Sequence, residues 1–359
     1  MKYNKTPLTF EAQADLLSRR GLIAEKTVLI DRLKNVNYYR LSGYLYPYRN
    51  DDHNFKPGTT LEKIWRHYTF DRRLRLIVMD AIERVEVSLR AQLIYGLAHS
   101  TGAFGYTEIK SLPQLKLDAY MRWAGEVKHE IDRSHETFVK HFKAKYGDTH
   151  EYLSLWMTGE IISFGCTLTM YRGASIDIKK RIAEYYGISD NVLTSWLQTI
   201  NVIRNICAHH SRLWNRELGV KPYIPRKNKY PQWHFPVPVL MSARVLHQSI
   251  VTQIPAISER LLEFFEVEKS GYMICKQNID QIIEGSDLSP DSKRLLVVLT
   301  QTPYRVFVIL SILQYFLKII APQSGWKTRL MILLDEYPEV SRWSMGFPEN
   351  WKDCKIWKL

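Results

Sequence analysis

One long amphipathic stripe runs through residues 61–98, LEKIWRHYTFDRRLRLIVMDAIERVEVSLRAQLIYGLA. Its apolar residues recur at steps of three and four, which is the spacing of one face of an α-helix. The members of this stripe are Leu74, Val78, Ala81, Ile82, Val85, Leu89 and Leu93. The segment therefore predicts a single long helix that forms the spine of a helical bundle.

The sequence on both sides of this segment shows similar helical spacing. Further helices are predicted over 11–36, 114–146, 152–172, 176–186, 190–213, 239–265, 302–319 and 325–335. The aromatic segment 38–49 is predicted to be turn-rich instead, because it contains Gly43 and Pro47. No stretch shows the alternation that is typical of a strand, so the sequence predicts an all-α protein.

The composition is that of a globular protein with a strong excess of positive charge. The formal net charge is +13, which attracts polyanions such as nucleic acids. The four cysteines are too scattered for a zinc ribbon, a redox pair or a disulfide framework. These scattered cysteines predict a protein of the reducing cytoplasm, and Met1–Phe10 predicts no export because it lacks the apolar core of a signal peptide. Val306–Leu317 is too short to span a bilayer, so a buried core helix and no membrane partner are expected.

A polar motif lies near the end of the predicted helix 190–213. Residues 201–210, NVIRNICAHH, include Arg204, Asn205 and His209. On an ideal helix this segment has a buried stripe through Ile203, and a second face opposite to it. The residues of that second face are Asn205, His209, Arg212 and Arg216. Such a face is suited to an anion or to a partner helix.

Arg204 does not share that face. Ideal helical geometry places it about 140° from His209, too far for both side chains to reach one phosphate. Either the helix breaks near Ala208, or a second copy of this helix completes the site across a two-fold axis. We favour a homodimer, because it also explains an uncovered polar face. His210 falls near the apolar stripe, and a structural role is assigned to it.

These residue types suit the cleavage of RNA by its own 2′-hydroxyl. The reaction needs a proton acceptor, a proton donor and positive charge for a crowded phosphorane. Histidine serves as acid or base near neutral pH, so His209 is the candidate for proton transfer. Arg204 would stabilise the developing charge, and Asn205 would orient a group or hold a phosphate oxygen. No metal or other cofactor is required.

Supporting positions are found on the long helix. Glu86 lies at the border of the apolar stripe, where its carboxylate either holds Arg204 or pairs with Arg90 one turn away. Arg72, Arg73 and Arg75 form a basic patch that either faces phosphates or is simply solvated.

The segment 38–49 interleaves tyrosines with arginines. This composition is suited to stacking unpaired bases and binding phosphates, which makes Tyr39, Arg40 and Tyr44 candidate RNA contacts. The alternative is a tyrosine-rich loop that packs on the bundle.

Three motifs together resemble the Abi-like abortive-infection proteins of the AbiD/AbiF type, which carry a HEPN domain. They are NYYRLSGY at 37–44, FDRRL at 70–74 with ERVE at 83–86, and RNICAHHSRLWN at 204–215. The resemblance covers roughly 10–220 and again about 300–350. It implies a HEPN-like helical bundle with an N-terminal helical extension and additional C-terminal helices.

The predicted organisation has four parts, with a boundary where 220–238 becomes rich in proline. They are an N-terminal helix and Tyr/Arg-rich segment (1–60), the bundle with Arg204 and His209 (61–219), a linker and helical insertion (220–300) and C-terminal helices that pack back on the bundle (301–359). The resemblance further implies RNA cleavage through Arg204 and His209, in the service of halting phage-infected cells. It makes a small regulatory RNA conceivable as a partner. A toxic ribonuclease also needs some inhibitor or phage trigger, which the sequence does not name.

Two other functions compete with the enzyme. The protein could be a basic RNA-binding module without turnover, which scaffolds a small structured RNA or is restrained by it. It could also be a structural dimer whose polar face is only an interface.

Overall fold

The computed structural model describes residues 6–50, 52–225, 305–347 and 351–358, together with the strand residues 265–267 and 273–275. Its helices are α1 (Phe10–Arg19), α2 (Lys26–Val36), α3 (Tyr38–Leu45), α4 (Leu61–Thr101), α5 (Leu117–Arg133), α6 (Thr137–Tyr146), α7 (Leu155–Ile161), α8 (Phe164–Gly173), α9 (Ile176–Tyr185), α10 (Asp190–Ala208), α11 (Val306–Ile320) and α12 (Trp326–Glu336). Short 3-10 turns follow α3 (Tyr46–Tyr48) and α4 (Gly105–Thr107, Ile109–Ser111), and two more lie near the C-terminus (Trp343–Met345, Trp351–Asp353).

The predicted all-α class is confirmed, with one small exception. The strands β1 (Phe265–Val267) and β2 (Met273–Cys275) pair antiparallel, with Phe265 opposite Cys275. A strand was not expected there. Apart from Phe265, which begins β1, the predicted helix at 239–265 lies outside the described residues, as does most of the predicted linker and insertion at 220–300.

The predicted long helix is confirmed, and its apolar stripe is buried throughout. The turn-rich prediction for 38–49 is wrong over residues 38–45, which form α3, and holds at the 3-10 turn Tyr46–Tyr48. The Asn37 side chain caps this helix by accepting a 2.8 Å hydrogen bond from the Tyr39 backbone N–H. Leu41 and Leu45 are buried on one face, and that burial outweighs the helix-weakening effect of Gly43.

The chain divides into two compact units. The first, called the N-terminal unit here, comprises residues 1–79, 206–214 and 325–341. In it α12 packs on the first part of α4, where the Trp326 indole N–H donates to the Ile77 carbonyl at 2.7 Å. The second, called the central unit, comprises 80–205, 215–324 and 342–359.

Helix α11 lies in the core of the central unit. All residues from Val306 to Leu317 are buried, which confirms the predicted core helix. The Tyr315 hydroxyl donates to the Tyr186 carbonyl at 2.8 Å, and the Trp357 indole N–H donates to Ser311 Oγ at 3.0 Å. Among the described residues, none of the helices combines the length and apolarity needed to cross a bilayer.

Candidate active site

Helix α10 ends at Ala208, one residue before His209. His210 has a left-handed backbone with φ of 57°. The Ser211 N–H donates to the Ile206 carbonyl at 2.9 Å, and the His210 N–H donates to the Cys207 carbonyl at 3.0 Å. This pair of bonds is a Schellman termination, in which His209 is the last residue before the left-handed one.

The helix therefore breaks near Ala208. This break was one of the two explanations offered for how Arg204 and His209 could share a site. The homodimer stays a prediction. The polar face predicted along a continuous helix is wrong beyond Ala208, because Arg212 and Arg216 lie past the helix end. Asn205 and His209 are exposed, and Arg204 is half-buried in the last turn.

The side chain of His210 is exposed and does not join the apolar stripe, because the helix ends before it. Its contribution is made by its backbone. The left-handed turn reverses the chain, and the His210 carbonyl accepts a 2.5 Å hydrogen bond from Arg40 Nη1.

A buried carboxylate on α4 anchors the chain that follows His209. Asp71 is fully buried, and its Oδ1 accepts hydrogen bonds from the backbone N–H groups of Leu213 at 3.1 Å and Trp214 at 2.8 Å. Its Oδ2 accepts from the Tyr44 hydroxyl at 2.6 Å and forms an ion pair with Arg75. Asp71, which belongs to the FDRRL motif, therefore bonds to residues of the NYYRLSGY motif and of the RNICAHHSRLWN motif.

Further contacts hold the same segment. Arg75 Nη1 donates to the Ser211 carbonyl at 3.4 Å, and Arg212 Nη1 donates to the Gly43 carbonyl. With the bonds to Arg40 and Asp71, every residue from 210 to 214 makes at least one of these tertiary hydrogen bonds. His209 is therefore an exposed imidazole at the head of a firmly held segment.

Burial dominates the titration of the groups around this anchor. It raises the pKa of the Asp71 carboxyl, and the Arg75 charge, the Tyr44 hydroxyl and the two backbone donors oppose the rise. Burial also raises the pKa of the Cys207 thiol to about 12. Cys207 is thus protonated at neutral pH and is no thiolate nucleophile.

Arg204 belongs to the central unit, where the carboxylate of Glu86 pairs with Arg90. Their ion pair spans 2.8 Å, and both side chains are mostly buried. Burial raises the pKa of Glu86, while the charges of Arg90 and Arg204 lower it. Of the two partners considered for Glu86, Arg90 makes the direct contact, and Arg204 acts through its charge.

The predicted RNA contacts fall into different environments. Tyr39 is 86% exposed and Arg40 is exposed, whereas Tyr44 is only 2% exposed. Tyr44 is therefore a structural residue of the Asp71 anchor, and the prediction that it contacts RNA is wrong. Arg72 is exposed, while Arg73 is half-buried and pairs with Glu336 of α12 at 2.5 Å.

Asp71 was not predicted as a site residue, and the prediction that Arg75 lies in a solvated or phosphate-facing patch is wrong, because both side chains are buried. A signal for them exists, because both fall within the apolar stripe of α4 on a helical projection. A charged pair in a buried stripe needs partners, which points to a built polar network. Within the described residues, no three His, Cys, Asp or Glu side chains form a group able to hold a metal ion.

A comparison with protein families found a match to a family described as Abi-like protein, over residues 31–215. The match covers more than half of the chain. The chain belongs to the Abi-like family. In this Abi-like protein the matched range contains all three motifs and ends one residue after Trp214, where the segment held by Asp71 ends. Membership indicates a role in abortive-infection defence.

Comparisons of this Abi-like protein with curated proteins and with solved structures found no match.

Proposed function

We propose that this Abi-like protein is a metal-independent, HEPN-type endoribonuclease that acts in abortive infection. The observation that carries the proposal is the exposed His209, which directly follows the helix end with Arg204 and Asn205. It directly precedes residues 210–214, each of which makes a tertiary hydrogen bond. A rigid backbone holds the imidazole in position to exchange a proton with the substrate without rearrangement. Such positioning is required for efficient acid–base catalysis.

In the proposed reaction the 2′-oxygen of RNA attacks the adjacent phosphorus, and the bond from phosphorus to the 5′-oxygen breaks. The products are a 2′,3′-cyclic phosphate and a 5′-hydroxyl. His209 takes the proton from the 2′-hydroxyl or gives one to the departing 5′-oxygen. Arg204 stabilises the negative charge of the phosphorane, and Asn205 orients a phosphate oxygen.

A single imidazole performs one of the two proton transfers at a time. We therefore keep the homodimer as part of the proposal, since a second copy would supply a second His209. The proposed substrate is RNA, and the proposed location of the protein is the cytoplasm. A small regulatory RNA, an inhibitor or a phage trigger is the proposed restraint, because unrestrained RNA cleavage would harm the host.

The decisive experiment compares host growth and RNA integrity on expression of wild type, Arg204→Ala and His209→Ala. The exposed His135→Ala is the matched control. We expect wild type and the control to stop growth and cleave RNA, and the two site variants to do neither. Cleavage by purified protein should survive EDTA and leave cyclic phosphate ends. It should spare DNA, which lacks the 2′-hydroxyl. Full cleavage by His209→Ala would refute the site.

The alternative is an RNA-binding protein without turnover, which the net charge of +13 also favours. Salt-sensitive RNA binding by purified wild type, with no cleavage under any trigger, would support this alternative over the enzyme.

A further inference from the structure

The solvent-facing side of α3 carries two exposed tyrosine rings. Tyr39 is 86% exposed and Tyr46 is 72% exposed. Tyr46 directly follows α3 but keeps helical backbone angles, with φ −52° and ψ −45°. Residues seven apart on a helix share a face, and the helical rise spaces the Cα atoms of the two tyrosines by about 10 Å along the axis. Ser42 and Gly43 lie between the two tyrosines, and their small side chains do not project far from that face.

The Tyr39 ring is mounted on a fixed backbone. The Tyr39 N–H donates to Asn37 Oδ1 at 2.8 Å, and its carbonyl accepts from Ser42 Oγ at 2.6 Å. A tyrosine on a rigid backbone loses little conformational entropy when a ligand stacks on it, because only two side-chain torsions remain to be ordered.

Positive charge lies beside Gly43, which falls between the two tyrosines on this face of the helix. Arg212 Nη1 donates to the Gly43 carbonyl and lies 4.0 Å from the position that a Cβ on Gly43 would occupy. Arg40 lies on the flank of the same helix. The N-terminal unit as a whole contains 18 Lys and Arg against 11 Asp and Glu. The surface is therefore complementary to a polyanion that carries flat rings.

We infer that the α3 face, formed by Tyr39, Gly43 and Tyr46, binds single-stranded RNA. Unpaired bases stack on the two rings, and the phosphate between them lies beside Arg212. The bases of a duplex are already stacked on each other, so this face selects unpaired RNA. The inference rests on the proposed function and deepens it by naming the substrate class. Arg40 of the same helix holds the residue after His209, which brings the bound strand to the proposed catalytic imidazole.

The test measures binding of a short fluorescein-labelled RNA of mixed sequence, single-stranded or annealed to its complement. The full-length chain carries His209→Ala so that no probe is cut. We expect Tyr39→Ala and Tyr46→Ala each to weaken single-strand binding by about 5- to 100-fold. Tyr39→Phe keeps the ring and should bind like the parent. Tyr95→Ala, which removes a 61% exposed tyrosine of α4, is the matched control and should also bind like the parent.

Three results would overturn the inference. They are unchanged binding by both alanine variants, an equal loss for single-stranded and duplex RNA, and a change of oligomeric state, which would assign the face to a second copy. Circular dichroism of each variant, together with Tyr39→Phe, separates loss of the ring from loss of the fold. Since binding is measured without cleavage, failure of the nuclease proposal would appear separately, as wild type that binds RNA but does not cut it.

Discussion

The Asp71 carboxylate accepts a 2.8 Å hydrogen bond from the backbone N–H of Trp214, although the two residues are 143 positions apart. This bond fixes the chain just beyond the proposed catalytic histidine to the long helix α4. An ionic group buried at this position has a cost, which four donors offset. In exchange for that cost, these hydrogen bonds fix the backbone conformation of residues 210–214.

Removing the Asp71 carboxylate should destabilise the protein strongly, because it leaves the Arg75 charge and two backbone N–H groups buried without their partner. We expect Asp71→Ala to lower the free energy of unfolding by about 3–5 kcal/mol in urea denaturation. Asp71→Asn should lose less, since its Oδ1 can still accept from the backbone. Asp118→Ala breaks an exposed pair of the same i,i+4 type and should change stability by under about 0.5 kcal/mol. Equal effects of Asp71→Ala and Asp118→Ala would contradict the role of the anchor.

Glu86 is expected to act as a positioning residue for Arg204. Glu86→Gln weakens the pair with Arg90 and alters the field at Arg204, so the rate of RNA cleavage should fall by about 10- to 100-fold. RNA affinity should change little, which separates positioning from a general loss of structure. Asp80→Asn changes a more exposed pair on the same helix and serves as the control. Wild-type turnover by Glu86→Gln would remove Glu86 from the site.

Variants of His210 test whether this residue acts through its backbone and not through its imidazole. Glycine adopts the left-handed conformation without the penalty of a Cβ, so His210→Gly should stabilise the protein by up to about 1 kcal/mol. Its carbonyl can still accept from Arg40, and cleavage should persist. His210→Val should destabilise instead, because a branched side chain resists this conformation. Loss of cleavage in a stable His210→Gly variant would show that the imidazole itself is needed.

His67 should make stability depend on pH. Its Nδ1 donates to the Lys63 carbonyl at 2.9 Å and its Nε2 accepts from the Tyr48 hydroxyl at 3.1 Å, which suits the neutral ring. Burial lowers the pKa of His67 below its ordinary value of 6.5. The unfolded chain then binds a proton more readily than the folded one, so stability is lost as the pH falls below about 6.5.

Urea denaturation between about pH 7 and about pH 5 measures this loss. His67→Gln cannot titrate and should show a smaller loss, while the exposed His135→Gln should follow wild type. Identical pH profiles for wild type and His67→Gln would contradict the assignment.

The sequence alone was sufficient for the all-α class, the long helix α4 and the buried helix α11. These features follow from local apolar periodicity, which a single segment carries by itself. The exposed His209 and half-buried Arg204 were also predictable as a candidate pair, because residue chemistry and spacing are written in the chain. The helix end at Ala208 was one of two alternatives, because on a continuous helix Arg204 and His209 of one subunit cannot reach the same phosphate; the homodimer was favoured, and it stays a prediction.

Tertiary structure decided the rest. Tyr39 and Tyr44 look alike in the sequence, yet the first is exposed and the second is buried against Asp71, because only packing determines which face of α3 is covered. Likewise, a continuous helix would place Arg212 on the polar face of α10, but the turn at His210 directs the chain towards Gly43. Local pattern specifies which residues can form a helix, whereas long-range hydrogen bonds and burial specify where it stops and which side chains remain for chemistry.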